Sequence, residues 1–225
     1  MSAPRVVVYD YGSGNVRSAE RALARAGADV TVTADQVAAV RADGLVVPGV
    51  GAFNACMAQL EDVGGRAVVG DRVDRERPVL GICVGMQVLF DGSEEHPLPP
   101  RGPRGSAERS RGVGVKGLGL LPGTVRRLRD ASVLPHMGWN TVERSGESVL
   151  LDGIGADERF YFVHSYAPCV GAPDDVEIEE VTGWTRHGAR FASVVERGAL
   201  RAVQFHPEKS GDTGATLLRN WVATL

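Results

Sequence analysis

A cysteine framed by glycines stands in the apolar stretch "VLGICVGMQ", Val79–Gln87. Gly81 and Gly85 lie two residues before and two after Cys83, the spacing of a strained strand-to-helix turn that exposes a nucleophile. A cysteine at a helix N-terminus is favoured as a thiolate by the free N–H groups there. The alternative is a small buried hydrophobe with incidental glycines. The spacing favours a nucleophile, with the N–H of Val84 directed at an oxyanion.

A nucleophile of this kind needs a base, and "AVQFHPEKS" offers one near the other end of the chain. The predicted strand Leu200–Phe205 ends at Pro207, because proline cannot donate to a strand ladder. Residues two apart in extended chain share a face, so we expect His206 and Glu208 to point the same way. A carboxylate beside a histidine fixes its tautomer and stabilises the imidazolium. Alone, such a histidine is more often structural; the cysteine turn favours the catalytic interpretation.

A third stretch, "VVPGVGAF" (Val46–Phe53), runs a buried strand into a turn rich in proline and glycine. Such a turn brings backbone N–H groups to the carboxyl edge of an α/β sheet, where these folds bind ligands. One of these groups, together with the N–H of Val84, would form an oxyanion hole with two donors. Without the other two stretches, Val46–Phe53 would be interpreted as an ordinary strand-to-helix connection.

The elements that must position these stretches are typical of an α/β fold. In the first half, helix-length segments separate short β-branched runs, which predicts parallel strands covered by helices. The predicted strands there are Arg5–Asp10, Asp29–Thr33, Gly44–Val47 and Val79–Ile82, and the helices are Val16–Ala26, Ala52–Leu60 and Arg66–Arg77. The second half is strand-like over Gly119–Leu128, Ser132–Val142, Arg159–Tyr166, Glu179–Arg186, Ala192–Glu196 and Leu200–Phe205, before a last helix, Thr213–Ala223. We expect a single domain over residues 1–225, with a mostly parallel sheet flanked by helices and additional antiparallel strands.

Composition excludes several classes of function. The formal net charge of −3 over 225 residues indicates neither a nucleic-acid nor a membrane partner. Cys56, Cys83 and Cys169 are widely spaced, which fits a reduced compartment and excludes a disulfide framework or a cysteine zinc site. The N-terminal stretch has no signal-peptide pattern, and the longest apolar run, Val79–Phe90, is far below the ~20 residues that span a bilayer. We expect a cytoplasmic protein with no metal and no cofactor.

One segment, residues 96–112, departs from the pattern. It reads "HPLPPRGPRGSAERSRG" and has no apolar periodicity, which predicts an exposed loop insertion. The alternative is an arm that binds phosphate or a partner, because four arginines cluster in it. We favour the solvated loop, since basic patches of this size are common without a ligand.

The three stretches, in this order, resemble those of the class I (triad) glutamine amidotransferases, and the resemblance covers essentially the whole chain. That family hydrolyses glutamine with a Cys-His-Glu triad and passes the ammonia to a synthase. The resemblance implies that Cys83 is the nucleophile, that His206 acts as base and then acid, and that Glu208 orients it. It also implies that Gly51 and Val84 supply the oxyanion N–H groups. The positions that match those holding the substrate, L-glutamine, are Gln87, Glu95, Ser165 and Tyr166.

Three further stretches, "YDYGSGN", "PHMGWN" and "YFVHSY", are similar to one branch of the family, the glutaminase subunits of imidazole glycerol phosphate synthase. Val50 also follows that branch, since the wider family commonly has P-G-G at this point. The branch implies a role in histidine biosynthesis, in a 1:1 heterodimer with a (β/α)8-barrel cyclase. The positions it implies at the partner interface or ammonia channel are Tyr11, Asn15, His136, Met137, Trp139 and Asn140. The alternative for "PHMGWN" is a buried tryptophan at a polar strand end.

Val50 also predicts a control of activity. We expect an N–H beside Gly49 that points into the oxyanion site to need a positive φ, which is costly for a β-branched residue. We therefore expect the resting turn to direct a carbonyl inward, and partner docking with nucleotide binding to reverse the peptide.

Two other classes of function remain open at this stage. A stand-alone hydrolase, such as a γ-glutamyl hydrolase or a cysteine peptidase, would use the same triad without needing "PHMGWN". A non-catalytic binding module would not need Cys83, His206 and Glu208 together. Labelling of the active-site thiol with a glutamine-mimicking electrophile separates the module from the enzymes.

Overall fold

The computed structural model describes residues 2–95, 114–169 and 179–225, so the predicted loop 96–112 lies outside the described residues. The helices in these ranges are α1 (Val16–Arg25), α2 (Gln36–Arg41), α3 (Phe53–Asp62), α4 (Gly65–Asp74), α5 (Val84–Gln87) and α6 (Gly211–Val222). The strands are β1 (Arg5–Tyr9), β2 (Asp29–Thr33), β3 (Gly44–Gly49), β4 (Val79–Cys83), β5 (Phe90–Ser93), β6 (Val115–Lys116), β7 (Leu121–Arg127), β8 (His136–Thr141), β9 (Glu143–Arg144), β10 (Arg159–His164), β11 (Tyr166–Pro168), β12 (Val181–His187), β13 (Ala189–Arg197) and β14 (Leu200–Val203). Within the described part of the chain, no helix is both long and apolar enough to cross a bilayer.

An eight-stranded sheet carries the site, in the order β2-β1-β3-β4-β14-β13-β12-β9. The strands from β2 to β14 in this order run parallel, and those beyond β14 are antiparallel. Because β3, β4 and β14 are parallel neighbours, their carboxyl ends meet at one edge. The predicted α/β fold, a mostly parallel sheet with additional antiparallel strands, is confirmed.

Three of the predicted strands pair elsewhere. β7 belongs to a four-stranded sheet in the order β11-β7-β5-β6, and β8 and β10 pair only with each other among the described strands. The predicted strand Arg159–Tyr166 is interrupted at Ser165, where β10 ends and β11 begins in the other small sheet. Alternation of apolar residues predicts a strand and its buried face, but not its neighbour.

The short helix α2 and the strand β5 were not predicted. The Asp35 side chain caps α2 by accepting a hydrogen bond from the N–H of Ala38 at 2.6 Å. Six residues are too few to show a helical period in the sequence. Asp35 immediately before an apolar segment was the available signal.

Stacked aromatic rings connect the two-stranded sheet to the large one. Phe160 stacks on Phe205 with ring centroids 4.0 Å apart, and Phe162 meets Phe205 edge-on at 5.4 Å. All of these rings are buried in the one hydrophobic core that the described residues share. The packing holds β10 beside the end of β14, where the chain continues to His206.

Candidate active site

Cys83 occupies the strained turn that the glycine spacing predicts. It ends β4 with φ 56° and ψ −115°, a conformation that residues with a β-carbon rarely adopt. A Cβ at Gly85 would overlap the carbonyl oxygen of Val47, and one at Gly81 would lie 2.8 Å from the carbonyl oxygen of Gly85. Both glycines are therefore steric requirements. The helix after Cys83 is α5, a single turn, so its dipole is a weaker source of thiolate stabilisation than the sequence suggests.

His206 and Glu208 meet by a different geometry from the one predicted. Pro207–Lys209 is a turn of 3-10 helix, not extended chain. Nδ1 of His206 lies 2.8 Å from Oε1 of Glu208, and both side chains are 3% exposed. The backbone holds the turn in place, because the N–H of His206 donates to the carbonyl of Tyr161 at 2.9 Å and Ser210 Oγ donates to the carbonyl of His206 at 2.6 Å.

The charge of His206 follows from these contacts. Burial disfavours the imidazolium, but the Cys83 and Glu208 side chains outweigh it and raise the pKa of His206 to about 9. Since Glu208 engages Nδ1, the other nitrogen, Nε2, is left for the thiol. Nε2 forms no hydrogen bond of ordinary geometry with a described residue, although the Cys83 side chain is close enough to raise the pKa of the ring. At neutral pH the His206 ring is therefore held in its imidazolium form.

A cavity of about 410 Å³ opens beside the sulfur. This volume is within the range of small-molecule sites. Besides Cys83 and His206, its lining includes every residue predicted to bind substrate or oxyanion: Gln87, Glu95, Ser165, Tyr166, Gly51 and Val84. The structure thus brings together residues from five separate stretches of the sequence.

Three lining residues had no predicted role. Val163 and His164 precede Ser165 in "YFVHSY", and Lys209 follows Glu208. Adjacency to predicted residues was the only signal for them in the sequence. Which of these side chains face the cavity depends on the end of β10 and on the 3-10 turn, and neither boundary was predicted.

Glu95 has a structural contact as well as a place in the cavity wall. Its Oε2 accepts a hydrogen bond from the N–H of Phe53 at 2.7 Å. Phe53 is the first residue of α3, whose preceding residue offers no side-chain cap. The Glu95 carboxylate therefore caps the helix that follows the glycine-rich turn, where negative charge is favoured.

The glycine-rich turn is held by side chains from two other segments. The N–H of Val50 donates to Ser13 Oγ at 3.1 Å, and Ser13 Oγ lies 2.9 Å from the carbonyl oxygen of Val50. The Cys56 thiol donates to the same carbonyl at 3.2 Å, and burial raises the pKa of this thiol. Gly51 follows with φ +88°, which glycine adopts without strain. In this conformation the N–H of Val50 is engaged by Ser13 and is not free for an oxyanion.

Two buried histidines support the far wall of the cavity. His164 lies within hydrogen-bond distance of the carbonyl of Tyr166 through Nδ1 (3.0 Å) and of His136 Nδ1 through Nε2 (3.1 Å). Burial lowers the pKa of His164 to about 3 and that of His136 to about 4, so both rings are neutral. A carbonyl only accepts, so His164 donates from Nδ1 and accepts at Nε2. The Asn140 amide then donates to Nε2 of His136 at 3.2 Å.

The residues predicted at a partner interface fall into two groups, one exposed or partly exposed and one buried. Met137 and Trp139 are 63% and 53% exposed. Asn15 is exposed and Asn140 is partly buried. Tyr11 and His136 are buried, so neither side chain contributes to an exposed surface in this conformation. The Tyr11 hydroxyl instead donates to the carbonyl of Pro48 at the base of the glycine-rich turn.

The exposed side chains of β8 share a face with part of β10. Met137 pairs with Val163 and Trp139 with Tyr161 across the two strands. The Trp139 and Tyr161 rings meet edge-on with centroids 5.9 Å apart. We call this apolar face the hairpin face. Since Val163 also lines the cavity, the hairpin face runs up to the mouth of the site.

Comparison with known proteins agrees with this geometry. The family described as "Glutamine amidotransferase class-I" matches residues 7–225. The chain is 55% identical to the imidazole glycerol phosphate synthase subunit HisH of Nocardia farcinica, over 100% of both chains. It is 53% identical to the protein of that name from Streptomyces avermitilis, over 100% of this chain and 98% of the relative. PurLQS from Thermotoga maritima has a similar fold, with a TM-score of 0.68 at 16% identity over 100% of this chain and 99% of that one.

Proposed function

We propose that this chain, which belongs to the class-I glutamine amidotransferase family, is the glutaminase subunit of an imidazole glycerol phosphate synthase. It hydrolyses L-glutamine to glutamate and ammonia for use by a cyclase subunit. The observation that carries the proposal is the meeting of Cys83, His206 and Glu208 beside a cavity of about 410 Å³. Relatives that share more than half of its residues over their whole length are named as subunits of that synthase.

The chemistry follows from the charges of the site. The Cys83 thiolate attacks the side-chain amide carbon of glutamine, and the carbonyl oxygen takes up the negative charge. The N–H groups of Val84 and of the glycine-rich turn at Gly51 stabilise this oxyanion. His206, which holds the proton of the thiol, transfers it from Nε2 to the leaving nitrogen, and ammonia departs from a thioester. The pKa of about 9 makes His206 a competent acid at neutral pH.

The thioester is then hydrolysed, and in this half-reaction His206 acts first as a base. The neutral imidazole of His206 takes a proton from water, and the hydroxide adds to the thioester carbon. Collapse of the second tetrahedral intermediate breaks the carbon–sulfur bond and releases glutamate, which restores the thiolate and imidazolium. Glu208 touches no reacting atom; it keeps Nδ1 as a donor and stabilises the positive ring in both halves.

The walls of the cavity suit an amino-acid substrate. Glu95 supplies a carboxylate to pair with the α-ammonium group of glutamine, and the segment Ser165–Tyr166 supplies further polar groups to the cavity wall. The carbonyl of Tyr166 already accepts a hydrogen bond from Gln87 at 2.7 Å, which ties this wall to α5. The relatives of this chain are named as subunits of a synthase, which disfavours a general cysteine peptidase.

The hairpin face is the surface that we assign to the cyclase. Met137 and Trp139 present large apolar side chains to solvent, and such residues are typical anchors of protein interfaces. Asn15 is exposed near the triad and belongs to the same proposed interface, with Asn140 at the rim of the hairpin. Tyr11 and His136 would act from beneath the surface, through the contacts described above. The partner is a (β/α)8-barrel cyclase bound one to one, and the complex is cytoplasmic.

The Ser13 contact supports a resting state of low activity. The N–H of Val50, a third possible donor beside those of Gly51 and Val84, is held by Ser13 and so is withdrawn from an oxyanion. Removal of such a donor typically lowers turnover about a hundred- to thousand-fold. Docking of the cyclase with its nucleotide ligand would release the turn, so glutamine is spared when no acceptor is present.

The deciding experiment measures glutamate release by the purified chain, alone and with the cyclase and its nucleotide ligand. We expect very slow hydrolysis alone and a large rise in kcat in the complex. Rapid unaided hydrolysis would indicate a stand-alone hydrolase. No hydrolysis in the assembled, liganded complex, together with no labelling of Cys83 by a glutamine-mimicking electrophile, would indicate a binding module.

A further inference from the structure

Gln204 is a fully buried polar side chain to which the mechanism assigns no part. It lies two residues before His206, where the chain leaves β14, and is 0% exposed. Its backbone N–H donates to the carbonyl of Ser193 at 3.0 Å, which fixes the main chain at this point. A buried amide is costly unless both of its polar atoms find partners. The partners of Gln204 therefore indicate what it does.

The orientation of the Gln204 amide follows from that of Gln87. Nε2 of Gln87 donates to the carbonyl of Tyr166 at 2.7 Å and to Oε1 of Gln204 at 2.9 Å. Because the Tyr166 carbonyl can only accept, the Gln87 amide cannot be reversed. Gln204 must then present its oxygen to Gln87, and its Nε2 lies 3.8 Å from the sulfur of Cys83. If the Gln204 amide were turned over, its NH2 group would face the NH2 group of Gln87, and its carbonyl oxygen would face the Cys83 sulfur.

The Tyr166 carbonyl, the first group in this series of hydrogen bonds, is also held by a second side chain. His164 donates from Nδ1 to the same Tyr166 carbonyl at 3.0 Å. Since this ring is neutral, that contact persists over the physiological pH range. The Tyr166 carbonyl is thus a fixed acceptor, and every hydrogen bond between it and the Cys83 sulfur has one possible direction.

We propose that Gln204 is a positioning residue for the nucleophile: Gln87 holds the Gln204 amide so that its Nε2 lies 3.8 Å from the Cys83 sulfur, and this donor favours the thiolate. A thiol sulfur is a weak acceptor, whereas hydrogen bonds to an ionised acceptor are roughly twice as strong as neutral ones. In a buried site this difference is larger than in water. The donor therefore stabilises the thiolate more than the thiol and orients its lone pairs.

The inference rests on the proposed function, because it takes Cys83 as the nucleophile. It also changes the part expected of Gln87. Both hydrogens of the Gln87 amide are used within the protein, one on Tyr166 and one on Gln204. Gln87 can therefore meet the substrate only through its oxygen, as an acceptor.

Two variants separate donation to the sulfur from filling of the space. Gln204→Glu has the same shape and still accepts from Gln87, but it offers no N–H to Cys83. Gln204→Leu removes both contacts. Ser193→Ala is the matched control, because Ser193 is also 0% exposed and hydrogen-bonded, through Oγ to the carbonyl of Gly183 at 3.1 Å, away from the cavity.

The readout is the pH profile of Cys83 alkylation by iodoacetamide, followed on the Cys83 peptide by mass spectrometry so that other thiols do not contribute. In both Gln204 variants we expect the pH of half-maximal rate to rise by about one unit. In the liganded complex we expect kcat for glutamine to fall about 10- to 100-fold, with KM changed less than about threefold. Ser193→Ala should match the wild-type protein in both measurements.

A wild-type alkylation profile in Gln204→Glu would overturn the proposal, because this variant has lost the N–H donor. A shift in Gln204→Glu that the neutral Gln204→Leu does not share would also overturn it, because the charge of the new carboxylate would then account for the shift. If Gln204→Leu does not fold, Gln204→Met, which is also neutral and has no side-chain N–H, takes its place. The proposed function fails by a different result, retention of glutamine hydrolysis by Cys83→Ala. An inactive Cys83→Ala with an unshifted Gln204→Glu profile would leave the glutaminase assignment standing and remove only this inference.

Discussion

Nδ1 of His206 lies 2.8 Å from Oε1 of Glu208 across a single turn of 3-10 helix, and both side chains are almost entirely shielded from water. Low exposure strengthens the interaction, because solvent screening is weak there. Together with the Cys83 sulfur, Glu208 keeps the imidazole charged at neutral pH. In the proposed mechanism this relationship makes His206 the proton donor of the first half-reaction, and it leads to the first prediction.

Glu208→Gln should leave the fold intact and lower kcat about a thousand-fold or more, since the imidazole loses the charge that stabilises it. The acidic form of His206 should also be lost at lower pH than in the wild-type protein, because Glu208 is one of the groups that raise its pKa. His206→Ala should be more severe still. The measurement is the pH dependence of kcat for glutamine in the complex. Near-wild-type turnover by either variant would refute the triad.

Cys83→Ala should abolish glutamine hydrolysis and leave the thermal midpoint nearly unchanged, because the side chain is small and alanine retains its β-carbon. The complex should still form product when ammonium salt replaces glutamine, since the synthase reaction takes place on the other subunit. Both reactions are followed with the same cyclase preparation. Loss of the ammonia-dependent reaction in a correctly assembled complex would contradict this division of labour.

Val50→Gly and Ser13→Ala should both raise glutamate release by the isolated chain, by about tenfold or more for the glycine variant. Glycine removes the steric cost of a positive φ, and loss of the Ser13 hydroxyl frees the N–H of Val50. Stimulation by the liganded cyclase should shrink accordingly, mainly in kcat. High basal activity of the wild-type chain, or unchanged basal activity of both variants, would show that this turn does not limit the rate.

Acid should destabilise the protein through His136 and His164. Their folded pKa values, about 4 and about 3, lie below the unfolded value near 6.5, so the unfolded chain binds more protons below pH 6.5. As pH drops from 7.5 to 5.5, each of these rings should lower the free energy of unfolding by about 1.4 kcal/mol. The raised pKa of His206 acts in the opposite sense over this range and should offset about one ring's share, so a net fall remains. Urea unfolding at several pH values measures it, and His136→Asn should give a shallower slope.

His206 changes the free energy of unfolding with pH in the opposite sense. Its raised pKa favours the folded state below pH 6.5, and that contribution is lost as pH rises through about 9. Stability should thus decline on the alkaline side in the wild-type protein and less so in His206→Ala. Constant stability between pH 7.5 and 5.5 would contradict the buried neutral histidines.

Trp139→Ala should weaken binding of the cyclase about tenfold to a hundredfold without affecting the thermal midpoint, because this half-exposed indole is the largest side chain of the hairpin face. Val37→Ala is the matched control, since Val37 is 58% exposed on α2, outside the hairpin face. Titration calorimetry with the purified cyclase gives both affinities. Equal affinities for Trp139→Ala and the wild-type chain would exclude the hairpin face as the docking site.

Residue types and spacing were enough to predict the groups that we propose to react. The turn around Cys83 is a local steric requirement, so the two glycines mark it in any sequence with this geometry. His206 and Glu208 are close in the chain, so they were found even though the reason given, extended backbone, was wrong. The alternation of strands and helices likewise identified the fold class, because hydrophobic period depends only on near neighbours.

Contacts between segments far apart in the sequence could not be predicted from residue types and spacing. Gln204 and Cys83 are 121 residues apart, and Ser13 and Val50 are 37 apart. Nothing in the spacing of either pair indicates that they touch. The pairing of β8 with β10 away from the large sheet also buries His136 and exposes Trp139 on alternate positions of one strand. Strand pairing and burial depend on the packing of the whole chain, so the surroundings of the nucleophile and the exposed hairpin face emerge only once the chain is folded.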